Sequence, residues 1–338
     1  MAIKIIKALF LLFIAAFLIL SVWLAWEFSS PPKTAPKEIF FEVEKGKAVG
    51  AIAKKLKEEG VIKKTQPFLL GYRLFFSPKS IKAGEYSLTL PLSAKEVLIT
   101  LIEGKIHLHS LTIPEGLTAR EIFELLASNG FGAGEEYLEL FSHAEILSSV
   151  DTKARNLEGY LFPETYHFPK GTPAKKIVTT MVEQFKEVFE RDLKRRAEEM
   201  GLTTREVVIL ASLLEKEAAI PEERKLVSAV FHNRLKRRMK LDCDPTIIYA
   251  LKQEGQSIDR LRTKDLQYNT PYNTYLHPGL PPGPICNPGL QSLKAALSPA
   301  EEDYLYFVSK NDGSHLFSRT LKEHQRAVDL YQKRKNEN

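Results

Sequence analysis

The sequence predicts an α+β protein carried on one N-terminal transmembrane helix, with a small α+β domain ahead of a larger mixed α/β domain. Three observations carry that expectation. Ala8 to Trp26 contains no charged residue and is rich in Leu, Phe and Ile. Between residues 38 and 128, short strand–turn–helix signals recur. Beyond residue 170, long helical patterns give way to an irregular loop, a hairpin signal and a last helix.

An uncharged run of this length spans a bilayer core of ~30 Å as a helix. Lys4 and Lys7 precede it, which predicts a short cytoplasmic tail over 1–7 and export of the rest through the inner membrane. Trp23 and Trp26 fall at the far end, where indoles favour the interface. The stretch is long for a cleaved leader and no Ala-x-Ala-like site follows, so 8–27 reads as an uncleaved anchor in contact with membrane lipid. A linker over 28–38, containing Pro and Lys, leads to the exported body. With 44% hydrophobic and 27% charged residues in 338, that body is globular and long enough for two or three domains. The net charge of +6 is modest and scattered, and export argues against nucleic acid as a partner. Cys243 and Cys286 are too few for a disulfide framework and leave one bridge open.

The small domain is expected over 39–108. Val43–Ile52 and Ile113–Ile122 align without gaps as strand end, Gly turn and amphipathic helix, and Leu92–Val97 repeats the cap and first turn. Ser93 with Glu96 and Thr118 with Glu121 are capping-box pairs. Gly60 reads as a helix stop, with Val61 and Ile62 starting a strand. No unit is large enough to bury its own core, so they are expected to pack together. The arrangement resembles LysM-like carbohydrate-binding modules.

The larger domain is expected over 109–338, with helices at 173–200, 203–219 and 221–237. Thr203 and Glu206 form a capping box, and Pro221 ends that helix by biasing Ile220 away from helical geometry. Between them the helix is apolar nearly all round, which marks a buried element. Glu217 falls near the middle of its most apolar side, while Glu215 falls almost opposite. A carboxyl held against leucines resists ionisation, which suits a general acid near neutral pH. The competing reading is a buried ion pair with an Arg or Lys. Further on, Tyr268–Gly289 holds six Pro and three Gly in 22 residues, the composition of a stiff loop of the kind that lines binding sites. Ser292–Ala296 reads as a short helix, Tyr304–Val308 and His315–Phe317 as a hairpin, and 320–333 as a closing helix.

Three other patterns carry no chemistry. Gly130–Gly134 lacks the spacing of a dinucleotide loop and reads as a helix stop. His107 and His109 alternate along an expected strand without further ligands at metal spacing, so neither metal nor cofactor is expected. Ser212 has no nucleophile motif around it.

Leu157-Glu-Gly-Tyr-Leu-Phe-Pro-Glu-Thr-Tyr166, Ala211–Glu217, Asp244-Pro-Thr246, Tyr272–Tyr275 with Gly279–Gly283, Asn287-Pro-Gly289 and Tyr304–Phe307 resemble the YceG-like family of endolytic murein transglycosylases. The resemblance implies a LysM-like domain followed by a catalytic domain with a buried catalytic helix. It also implies cleavage of nascent peptidoglycan glycan strands at N-acetylmuramyl–N-acetylglucosaminyl bonds, leaving 1,6-anhydro ends. Glycan strands are then the partner, and peptidoglycan synthases are further candidates. The second Glu of the Glu-x-Glu pair maps to Glu217 as the catalytic acid, with Glu215 as a supporting carboxylate or a structural pair. Tyr272, Asn273, Thr274 and Tyr275 offer ring faces and amide or hydroxyl partners to sugars, and Asn287 is grouped with them. The alternative is that their polar groups satisfy the loop's own backbone. Glu164 and Tyr166 are expected to border the cleft, and Asp244 to support it as a helix cap. A hydrolytic muramidase using Asp244 or Glu215 as base, and a non-catalytic glycan-binding scaffold, are the competing functions.

Overall fold

A computed structural model describes residues 2–256, 258 and 261–333. Met1 of the expected tail and residues 334–338 of the expected larger domain lie outside them. The architecture is mixed α+β, in two compact units. The first runs to His109 and includes His167–Lys170; the second comprises Ser110–Tyr166 and the chain from Gly171.

In the first unit, α1 (Ala2–Ser29) is one unbroken helix, long and apolar enough to cross a membrane. It contains neither Gly nor Pro, so nothing interrupts its hydrogen-bond ladder. Its last turn departs from the expected linker: Phe28 is buried in the core of the unit. β1 (Lys37–Val43) is followed by α2 (Val49–Glu58), α3 (Thr65–Gly71), a π-helical turn at Tyr72–Phe76, β2 (Gly84–Leu90) and α4 (Ala94–Glu103). β1 and β2 pair antiparallel, from Lys37 opposite Leu90 to Val43 opposite Gly84. The two-residue period of a strand sends Phe41, Val43, Tyr86 and Leu88 to the buried side. There they meet Leu56 of α2, Phe68 of α3 and Leu98 and Leu101 of α4. Ser93 and Glu96 cap α4 reciprocally. Val61 and Ile62 form no strand, because both backbone N–H groups turn back to the Leu56 carbonyl and are lost to any ladder.

The second unit opens with the end of β3 (Leu108–Thr112), which pairs with β4 (Thr165–Pro169). Between them lie α5 (Ala119–Ser128) and α6 (Gly134–Phe141); the long segment expected as one helix then splits at buried Leu193 into α7 (Ala174–Asp192) and α8 (Lys194–Glu199). α9 (Thr204–Glu217), α10 (Arg224–Lys236), α11 (Asp244–Gln253) and α12 (Leu290–Ala296) follow, then the hairpin of β5 (Tyr306–Ser309) and β6 (His315–Ser318) and a closing α13 (Leu321–Val328). α9 packs against α8, α10, α11 and α12, and every residue from Val207 to Leu214 is buried. Gly159 permits the closest approach around it. Its φ is +88°, and a Cβ there would lie within 2.7 Å of both Pro284 and Val208.

Candidate active site

The two carboxylates of α9 have opposite surroundings, because two helical residues apart is nearly half a turn. Glu215 is held in place: its Oε2 accepts from the Gly289 N–H at 3.0 Å, and Arg224 Nη2 lies 3.6 Å from Oε1. Glu115 presses in beside them, so close that a Cβ on Gly289 would overlap its carboxyl group. Burial pushes the Glu115 carboxyl up, Glu215's charge adds to this, and Arg224 opposes it.

Glu217 ends α9 without a guanidinium or ammonium partner among the described ion pairs. Part of its surface stays accessible, yet dense packing around the carboxyl strips its solvation and pushes its pKa to about 7. The Cys243 thiol donates to it, favouring the carboxylate, while the charge of Asp244 favours the acid. Desolvation wins. Burial raises Cys243 well above its ordinary range, so it stays a neutral donor. Both cysteines are free. Asp244 is exposed in the first turn of α11, where Cys243 rather than Asp244 occupies the cap position and no side-chain cap bond forms. Its carboxylate instead accepts from the Tyr275 hydroxyl at 2.6 Å. Glu217, Asp244 and Tyr275 thus make one cluster, and burial, with the two acids adding to it, keeps the Tyr275 phenol protonated.

The loop residues divide. Tyr272 turns to a separate cavity of about 320 Å³ walled by Glu158, Arg155 and Arg205, its ring tilted 52° against that of Tyr249 with centroids 5.1 Å apart. Asn273 is fully buried; its amide donates to the Leu266 and Tyr268 carbonyls and its oxygen accepts from the Tyr275 N–H. Thr274 is buried too, its hydroxyl accepting from the Cys243 N–H and meeting Thr246 at 3.2 Å. Asn287 is also buried and joins distant segments, accepting from the Leu161 N–H and donating to the Leu117 carbonyl and Glu158. The polar groups of these three are thus taken up inside the protein, those of Asn273 within the loop, that of Thr274 at the start of α11, and those of Asn287 on segments distant in sequence. Glu164 is exposed and accepts from the Thr165 N–H; Tyr166 is buried with its hydroxyl on the Phe162 carbonyl. A groove of about 720 Å³ lies by Thr203–Glu206 and Leu280–Pro282. It sits at the start of α9, roughly 18 Å of helical rise from Glu217.

A model of the YceG-like family matches residues 41–330. The chain belongs to the YceG-like family. It is 32% identical over 324 residues to the endolytic murein transglycosylase of Bacillus subtilis, covering 90% of this chain and 88% of that one. The endolytic murein transglycosylase of Streptococcus pneumoniae strain R6 is 31% identical over 86% of this chain, which spans 58% of that longer relative. The crystal structure of a putative YceG-like protein from Listeria monocytogenes superposes with a TM-score of 0.59 at 31% identity, over 87% of this chain and all of that one.

This YceG-like chain holds further groups to which sequence patterns gave no role. Glu158 is buried and accepts from the Ala119 N–H at 2.9 Å, the Asn287 amide at 3.1 Å and the Tyr249 hydroxyl at 3.2 Å. Burial outweighs those bonds and pushes its pKa to about 8. Its only local signal is an acid between Leu157 and the positive-φ Gly159. Among the described residues, Glu85, His107 and His109 of the first unit could bring donor atoms to one metal ion, all within 4.8 Å. The protein already answers that charge: His109 Nε2 is 2.6 Å and Lys170 Nζ 3.5 Å from Glu85. Burial pushes Glu85 up, but His109 and Lys170 together hold it below its ordinary value.

Proposed function

We propose that this chain is a membrane-anchored endolytic murein transglycosylase with Glu217 as general acid and then general base. The observation that carries the reading is a carboxyl poised near pH 7, accessible at a helix end and free of any cationic clamp among the described ion pairs. The relatives named endolytic murein transglycosylase supply the substrate and the reaction. In this reading α9 is the catalytic helix, the first unit is LysM-like and binds glycan, and the body lies outside the inner membrane with the N-terminus in the cytoplasm. Tyr275 and Asp244 border the sugar beside Glu217, and peptidoglycan synthases are neighbours on the same nascent strand.

Glu217 donates its proton to the glycosidic oxygen as the muramyl C1–O bond breaks. The substrate's own 2-acetamido group relieves the developing cation. The Glu217 carboxylate then takes the proton of the muramyl 6-hydroxyl while that oxygen bonds to C1, closing the 1,6-anhydro ring and restoring the acid. No water is consumed. Glu215 cannot supply a second base, being bound by Gly289 and Arg224. Among the described residues, Asp244 is an exposed acid whose charge acts on Glu217, and it would serve the hydrolytic alternative. Mass spectrometry of purified peptidoglycan after digestion separates the readings: anhydro ends are expected, and reducing ends alone would replace this mechanism with hydrolysis.

The pH dependence follows from the sign of the shift. The donor works only when protonated, so kcat/KM is expected to hold below pH about 7 and fall above it, by roughly tenfold per unit. In Cys243→Ser a hydroxyl, a stronger donor than a thiol, further favours the carboxylate and is expected to move that alkaline limb to lower pH. An unmoved limb would mean that another group titrates.

A further inference from the structure

The first unit leaves one apolar face in the open. Gly71 of α3 seats the Phe28 ring so closely that a Cβ there would lie 2.4 Å from it. Just beyond this contact, Leu70, Leu74 and Phe75 are 38%, 64% and 70% exposed, although a filled core lies beside them. With Phe17, Leu20 and Leu24 of α1 they line an apolar groove of about 320 Å³. Phe75 also stacks on Phe28, with ring centroids 6.3 Å apart. Cations stand nearby: Lys64 Nζ lies 4.4 Å over the Trp23 ring and 3.4 Å from the Glu27 carboxylate, Lys63 Nζ lies 5.2 Å over Trp26, and Arg73 is exposed.

We infer that α3 and the π-helical turn after it form a second, non-spanning membrane contact, with Leu70, Leu74 and Phe75 among phospholipid acyl chains beside α1. Lys63, Lys64 and Arg73 then lie at the headgroups. The inference rests on reading α1 as the spanning helix, which places Phe17 about 13 Å of helical rise below the interfacial Trp26. Contiguous exposed apolar surface marks a partner or a membrane. Three features select lipid. The groove is continuous with the apolar wall of α1, its far side is α1 itself, and its cations stand over indoles at the end where an interface is expected. Such a face buries its side chains ~5–10 Å into the headgroup–acyl boundary. The first unit is thereby held on the bilayer surface instead of swinging on the 30–36 segment.

The test uses the full chain in nanodiscs, with bimane attached to Leu74→Cys, to Ile14→Cys in mid-α1, or to Glu58→Cys on exposed α2. The native cysteines are both buried, and position 74 is exposed enough that labelling leaves the fold alone. Phospholipids brominated in the upper acyl chain serve as quencher. Bimane at position 74 is expected to lose about half its emission, as a side chain at that depth requires, with little loss at 58. Quenching at 14 but not at 74 would overturn the second contact while leaving the anchor standing. No quenching at 14 would overturn both.

Discussion

Glu217→Gln is expected to lower the formation of anhydro ends by about 10²–10⁴-fold, the usual worth of a positioned acid or base. The fold should survive. The amide keeps the size of the carboxyl, accepts from the Cys243 thiol as before, and removes a charge that the site already disfavours. Thermal unfolding should therefore hold or rise slightly, and circular dichroism should be unchanged. Retained anhydro product from a folded Gln variant would end the assignment. A variant that loses both product and fold would move Glu217 to a structural role.

Asn287→Ala is expected to act through stability instead. The side chain joins three segments far apart in sequence, and the alanine would leave the buried Leu161 N–H without its acceptor, while the Leu117 carbonyl keeps the backbone N–H of residue 287 and the Glu158 oxygen keeps the Ala119 N–H. One unsatisfied buried donor costs about 1–3 kcal/mol. For a unit of this size that is a fall in melting temperature of roughly 2–12 °C. Measured well below the transition, KM for glycan should be near that of the parent chain. A raised KM with an unchanged melting temperature would return Asn287 to the substrate surface, where the sequence reading placed it.

Local rules account for what was legible. The reciprocal caps at Ser93, Thr118 and Thr203 formed as their spacing predicts, because a capping box is complete within four residues. The helical period placed Glu217 and Glu215 on different sides, and their surroundings do differ. Where the reading fell short, a non-local choice intervened. Val61 and Ile62 had strand composition but bonded back to Leu56, and the linker's first residues stayed helical because Phe28 found a place in the core. Tyr272 and Tyr275 belong to one motif yet part company, Tyr272 lining a cavity with Glu158 and Tyr275 bonding to Asp244, a division that depends on how the loop turns between them.

By itself, then, the chain's order of residues determined the mixed α+β class, the apolar N-terminal helix and the acid that stands out on α9, since each follows from periodicity or composition within one segment. Only the tertiary structure decided which polar groups meet. Arg224 takes Glu215 and leaves Glu217 to a thiol, and Asn287 reaches Glu158 across 129 positions. The physical reason is that burial strips a polar group of water wherever it sits, but its replacement partner is chosen by the path of distant backbone, which no local pattern records.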